Sequence, residues 1–179
     1  MDLSVFLAVH QADNQNTTIQ LILDPKIKLN SFLAEFLTEF KINSFSNGFL
    51  RTINDSSLNE IKSIWKWYDE YTVIFMRTAF GGLFYKRKSN FFYFDPLYGD
   101  IINLANDLNF ILNVFLCDEQ ALSATFLFPL YKEVINRTGI PNENECLGFI
   151  PALKIGGQKI SKNLEIMKLK EHLCLLEQL

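Results

Sequence analysis

Thr72-Val73-Ile74-Phe75-Met76-Arg77-Thr78, Gly82-Leu83-Phe84-Tyr85-Lys86 and Asn90-Phe91-Phe92-Tyr93-Phe94 decide the fold. Each run is dense in β-branched and aromatic side chains, which fit a pleated and half-buried surface. Turn signals separate them. Gly81-Gly82 follows the first run, Arg87-Lys88-Ser89-Asn90 reads as a hairpin tip, and Asp95-Pro96 closes the third. The gaps are too short for crossover helices, so antiparallel pairing is the arrangement the spacing allows.

Helical signals flank this β-rich centre. Phe32, Phe36 and Phe40 are four apart, with Leu33 and Leu37 beside them and Glu35 and Glu39 opposite, which predicts an amphipathic helix over 31–40. Ser46-Asn47-Gly48 reads as a turn into a strand over Phe49–Ile53. Ser57-Leu58-Asn59-Glu60 has the capping-box pattern, with Leu58, Ile61 and Trp65 continuing helically. Downstream, Ile101, Leu104, Leu108, Ile111 and Phe115 recur at three- and four-residue steps. They predict one helix with Asp100 near its N-cap and Asn103, Asn106, Asp107 and Asn113 outward. A second helix is expected from about Pro129 to Gly139, and a last one over Leu169–Leu176, with Pro141–Glu145 and the apolar run Leu147–Leu153 between them. Residues 1–30 read as extended or irregular, with Ile19–Leu23 as a short strand or apolar strap and a strand or helix at the very start. Strands in the middle and helices around them indicate an α+β fold.

The chain has 179 residues, of which 49% are hydrophobic, 21% charged and 14% aromatic, consistent with one domain and a sizeable core. No apolar run approaches the ~20 residues needed to cross a bilayer. The start, Met1-Asp2-Leu3-Ser4, lacks the basic region of a secretory signal, so no membrane association and a cytoplasmic location are expected. Cys117, Cys146 and Cys174 are odd in number and far apart, which suits reduced thiols better than disulfides or zinc ligands. With only His10 and His172 besides, neither a metal nor a cofactor is expected.

No catalytic residues are assigned. Asp95 with Asp100, Asp118-Glu119 and Asp69-Glu70 are close in sequence, but acid–base chemistry needs separated pKa values in a shaped pocket, which adjacency does not supply. No Ser/His/Asp or Cys/His arrangement stands out. Gly156-Gly157 before Lys159 and Lys162 lacks phosphate-loop spacing and reads as a tight turn. Lys86-Arg87-Lys88 beside Tyr85 resembles the edge of a single-strand binder, yet a net charge of −3 opposes nucleic acid as the main ligand. Trp67-Tyr68 are either core or exposed anchors. Charge is unevenly spread: residues 1–88 carry 10 basic and 9 acidic side chains, whereas 89–145 carry 2 against 8. That stretch is either a solvated acidic face or a surface complementary to a basic partner.

Thr78-Ala79-Phe80-Gly81-Gly82-Leu83-Phe84, Asp95-Pro96-Leu97-Tyr98-Gly99, Leu147-Gly148-Phe149-Ile150-Pro151-Ala152-Leu153-Lys154-Ile155-Gly156-Gly157, Asn163-Leu164 and Glu171-His172-Leu173-Cys174-Leu175-Leu176 form a more specific series. It resembles the C-terminal domain of the type VI secretion DNase-immunity proteins, over roughly 46–179. Residues 1–45 are a divergent counterpart of the GAD-like region that often precedes that domain. The resemblance implies a curved, largely antiparallel sheet with helices packed against it. Residues 46–179 would be the immunity-type domain, with 1–45 as a segment packed on its core. It also implies a non-enzymatic cytoplasmic bacterial protein that binds a cognate secreted toxin, such as a DNase, and occludes its active site. The motif residues read as fold formers: Phe149, Ile150 and Leu153 in the core, Pro151 and Gly156-Gly157 in turns, His172 in a helix. A basic toxin surface would call for carboxylates, so Asp100, Asp107, Asp118, Glu119, Glu133, Glu143 and Glu145 are the partner-binding candidates. An enzyme reversing toxin damage and an adaptor of the secretion apparatus are the alternatives.

Overall fold

A computed structural model describes residues 2–13, 32–41, 43–53, 58–62 and 65–179. Among the described residues the central sheet has seven antiparallel strands in sequence order. They are β1 (Ala12–Asp13), β2 (Ser44–Phe45), β3 (Leu50–Thr52), β4 (Thr72–Thr78), β5 (Leu83–Arg87), β6 (Asn90–Asp95) and β7 (Asp100–Ala105). The three runs that carry the β signal are β4, β5 and β6, paired from Thr72↔Arg87 through Arg87↔Asn90. Every residue of β4 is buried. A strand covered on both faces needs no alternation of polarity, which is why its sequence reads as one apolar block.

The two faces have separate cores. Val73, Phe75, Phe84, Phe91 and Tyr93 point to one side. There they meet Phe6 of α1 (Ser4–Val9), Leu33, Phe36 and Leu37 of α2 (Phe32–Phe40), Leu108, Ile111 and Leu112 of α4 (Leu108–Asn113), Leu122 of α5 (Glu119–Ala124) and Tyr131 of α6 (Phe128–Thr138). Each such aromatic or branched side chain contributes about 1.5–3 kcal/mol on full burial. Ile74, Leu83, Tyr85 and Phe94 point to the other side. They are covered by Leu58 beside α3 (Asn59–Lys62), by Trp65 and Trp67, and by Leu169 and Leu173 of α7 (Leu169–Glu177). Trp67 stacks on Tyr85 with ring centroids 4.5 Å apart, so it is half-buried packing and not a free anchor. A second sheet of two strands, β8 (Glu145–Phe149) and β9 (Leu164–Lys168), is tied to the turn after β4 by Leu147 N–H donating to the Ala79 carbonyl at 2.8 Å.

One expectation is overturned. The helix expected over Ile101–Phe115 is two elements, strand β7 and helix α4. Asp95–Gly99 turns the chain back on β6, whose free edge then pairs with Ile101 and Ile102 through Phe94 and Tyr93. Ile102 and Leu104 pack against the core while Ile101 is exposed, a period of two that the three–four spacing concealed. Asp107 rather than Asp100 is the N-cap, its carboxylate accepting from Asn109 N–H at 2.9 Å. Helix α5 and strand β9 had no counterpart in the sequence reading. The segment Ile19–Leu23 and Ser57 of the capping box lie outside the described residues. Helices α2, α6 and α7 fall where expected, with Pro129 in the first turn of α6 and Gly139 at its end.

Candidate functional site

The seven acidic candidates occupy separate places. Asp100 is exposed at the start of β7, opposite Asp95. Asp107 and Asp118 begin successive helices, and Asp118 accepts from Ala121 N–H at 2.7 Å as the N-cap of α5, with Glu119 exposed beside it. Such carboxylates satisfy N–H groups that a helix leaves without partners. Glu133, on the outer side of α6, accepts from the Ser161 hydroxyl. Glu145 accepts from Asn142 N–H at 2.9 Å and so closes its own loop. Glu143, in the same loop, lies within electrostatic reach of Arg51 and Arg77.

Those two arginines hold that loop from beneath. Arg51 and Arg77 are cross-strand partners on β3 and β4, and Arg77 is fully buried. Arg77 Nη2 donates to the carbonyls of Asn142 at 3.1 Å and Glu143 at 3.0 Å, and Arg51 Nη2 donates to that of Pro141 at 2.7 Å. Burial pushes the Arg77 guanidinium down to about 10, which leaves it charged at neutral pH. Buried charge is tolerated only with such partners. A cleft of about 450 Å³ beside the loop is lined by Glu143, Glu145, Lys168, Lys170 and Glu171.

A tighter convergence forms where the two motif turns meet. Residues 95–100 join β6 to β7, and 150–159 lie between β8 and β9. Lys159 Nζ stands 5.9 Å from the centre of the Tyr98 ring. Gly99, with φ of +78°, leaves room for Lys154, whose Nζ would lie 3.2 Å from any Cβ there and which donates to the Leu176 carbonyl at 2.8 Å. At Gly157 a Cβ would fall 1.9 Å from the Pro151 carbonyl oxygen, so only glycine closes this loop. Asp95 is buried beneath, accepts from Leu97 N–H at 3.0 Å, and has its carboxyl pushed up to about 6, by burial first and then by Asp100.

The remaining buried polar groups are packed, not poised. His172 fills the space over Gly148, where a Cβ would come 2.6 Å from its ring, and burial pushes it down to about 4. His10 Nε2 donates to the Leu116 carbonyl at 2.8 Å, so its Nδ1 accepts from the Ser46 hydroxyl, 2.9 Å away; burial keeps it neutral. Burial likewise pushes the Cys146 thiol up to about 12, which suppresses its thiolate. Arg87 of the basic hairpin tip is paired with Asp69 at 2.6 Å. Among the described residues no three His, Cys, Asp or Glu are grouped to hold a metal ion, and no helix is long and apolar enough to cross a membrane.

Residues 112–179 match the family model described as T6SS immunity protein Tdi1, C-terminal. The match supports a T6SS immunity family for this part of the chain. The matched region holds the end of α4 and all of α5, α6, β8, β9 and α7, and the match supports an immunity role. It contains Asp118, Glu119, Glu133, Glu143, Glu145 and the 150–159 loop, whereas Tyr98, Asp100 and Asp107 precede it. The crystal structure of Atu4351 from Agrobacterium tumefaciens is similar in fold, with a TM-score of 0.67 and 10% identity over 99% of this chain and 89% of that chain. At that identity the likeness concerns the α+β architecture alone. Comparison with curated proteins gives no match.

The reading of the motif loop as core is corrected in part. Phe149 is buried and Leu153 packs partly against the core, but Ile150 is 52% exposed. The hydrophobicity of Ile150 matches the core pattern, and only the fold reveals it as surface.

Proposed function

We propose that the chain is a cytoplasmic, non-enzymatic immunity protein that binds one secreted antibacterial effector and blocks its active site. The observation that carries this reading is the family match over 112–179. The effector is a protein with a basic working surface, such as a DNase, steered by the acidic excess of 89–145; nucleic acid and membrane are not partners. Asp100 and Glu119 are exposed. Asp107, Asp118, Glu133 and Glu145 also engage their own fold and so present charge from fixed positions, and Glu143 lies near two buried arginines. Residues 46–179 form the effector-binding unit, with the described part of 1–45 packed on it.

Isothermal titration against the protein encoded by the adjacent reading frame tests this. One-to-one binding, with loss of that protein's toxicity at the equivalence point, is the expected result. Protection at substoichiometric amounts would point instead to an enzyme that reverses damage, and heat without loss of toxicity to an adaptor.

A further inference from the structure

We infer that the effector docks on the free edge of β7 by adding an extended segment of its own to the sheet, and that this segment is apolar with basic residues at both ends. This rests on the immunity reading and names the contact through which it acts.

Strand β7 ends the central sheet and pairs with β6 alone. A strand in that position turns alternate backbone N–H and C=O groups outward, a template for pairing with another chain. Among the described residues, no backbone group of a turn, loop or helix bonds to Asp100–Ala105. Edges are ordinarily blunted by shortness, lysine or proline. The other edge strand, β1, has only two residues, whereas β7 has six and contains no lysine, arginine or proline. The irregularity in its pairing falls at Leu104, which leaves Asp100–Asn103 in regular register with Asp95–Phe92. Ile101 lies across from buried Phe94 and is 46% exposed, while Ile102 and Leu104 are only partly buried against the opposite core. An added strand with apolar side chains would cover both faces at once.

Charge decides what that strand is. Asp100 opens β7 and lies across from Asp95, and Asp107 stands just past its end. From Ser89 to Tyr131 the chain carries five acids and no lysine or arginine. Two lysines at the 95–100 turn, Lys154 and Lys159, are taken up by the Leu176 carbonyl and the Tyr98 ring. A second copy of this chain would bring acid to acid: antiparallel pairing of two β7 strands moves Asp100 of each towards Asp107 of the other, and parallel pairing sets Asp100 beside Asp100. Like charges so placed destabilise a strand pair. A segment with lysine or arginine at each end meets opposite charge at both. The same carboxylates repel a run of phosphates.

The test uses the full chain and, as probe, the protein encoded by the adjacent reading frame. Residue-resolved amide hydrogen exchange is followed with and without the probe. Affinity and melting temperature are measured for wild type, for Ile101→Lys, and for a double variant, Asp100→Asn with Asp107→Asn. Ile140→Lys serves as control, an equal change at an exposed position beside Gly48, in the β2–β3 turn on the other side of the sheet. Asparagine at 107 can still cap α4, so the double variant loses charge and keeps the cap. Binding is expected to slow exchange about 10-fold or more at alternate residues of 100–103. Ile101→Lys should weaken affinity about 10-fold or more at unchanged melting temperature, and Ile140→Lys should leave affinity unchanged. The double variant should weaken binding at low salt and much less at high salt. Binding that leaves the β7 amides exchanging freely, or that Ile101→Lys fully retains, would overturn the inference while the immunity reading stands. Absence of wild-type binding would remove both. Slowed exchange over 100–103 that grows with the concentration of the chain alone, and that the probe does not change, would assign the edge to a second copy and overturn the inference. Should Ile101→Lys lower the melting temperature, the exchange pattern of the wild type decides.

Discussion

The acidic stretch 89–145 and the junction of the two motif turns use their side chains in opposite ways. Along the stretch, Asp107 and Asp118 cap helices, Glu145 closes its loop and Glu143 neighbours two buried arginines. At the junction the buried atoms hold the turns in shape, and Ile150, which the sequence pattern assigns to a core, is left in solvent. A block of like charge is thus partly architecture, while a string of apolar motif residues is partly surface.

The sharpest way to break this contrast is at Gly157. Replacement by Ala drives a Cβ into the Pro151 carbonyl and is expected to destabilise the fold by about 3 kcal/mol or more in thermal melts. Gly156→Ala meets open space but must hold φ at +90°, and should cost only about 1 kcal/mol. Equal, small effects at both would mean that the junction is not rigid.

Asp95 gives a pH-dependent test of the same region. Its folded-state carboxyl titrates near 6, above the ordinary value of 3.8, so the folded state binds an extra proton between those values. Stability attributable to this group is therefore lost as pH rises through about 4 to 6. Asp95→Asn retains an acceptor for Leu97 N–H and is expected to be more stable than wild type at pH 8, on the order of 2 kcal/mol. The difference should vanish near pH 4. His172, pushed down to about 4, acts with the opposite sign: its contribution is lost as pH falls from about 6.5 to about 4. It is common to both chains and cancels in the difference.

The smallest effects concern the acidic helix start. Asp118→Ala removes the N-cap of α5 and should cost about 1 kcal/mol, whereas Glu119→Gln should change stability by less than about 0.5 kcal/mol. Chemical denaturation separates the two, and an inert Asp118→Ala would return that residue to the solvated charges.

The legible parts of the fold were those whose local pattern agrees with their burial. Strands β4 to β6 carry aromatic and β-branched blocks between turn residues, and α2 keeps its apolar stripe on one side. Strand β7 was not legible, because Ile101, Leu104 and Leu108 fit a helical period while the deciding fact, pairing with β6, is non-local. The same limit governs the site. Asp118 followed by Ala121 records charge but not capping, and nothing local distinguishes buried Phe149 from exposed Ile155.

The central claim, protection by binding a secreted effector, is tested most directly by growth of cells that express the adjacent-frame protein together with this chain. The account predicts that the wild-type chain restores growth in proportion to its amount, up to one chain per effector molecule. No restoration by the wild type would contradict the immunity role itself.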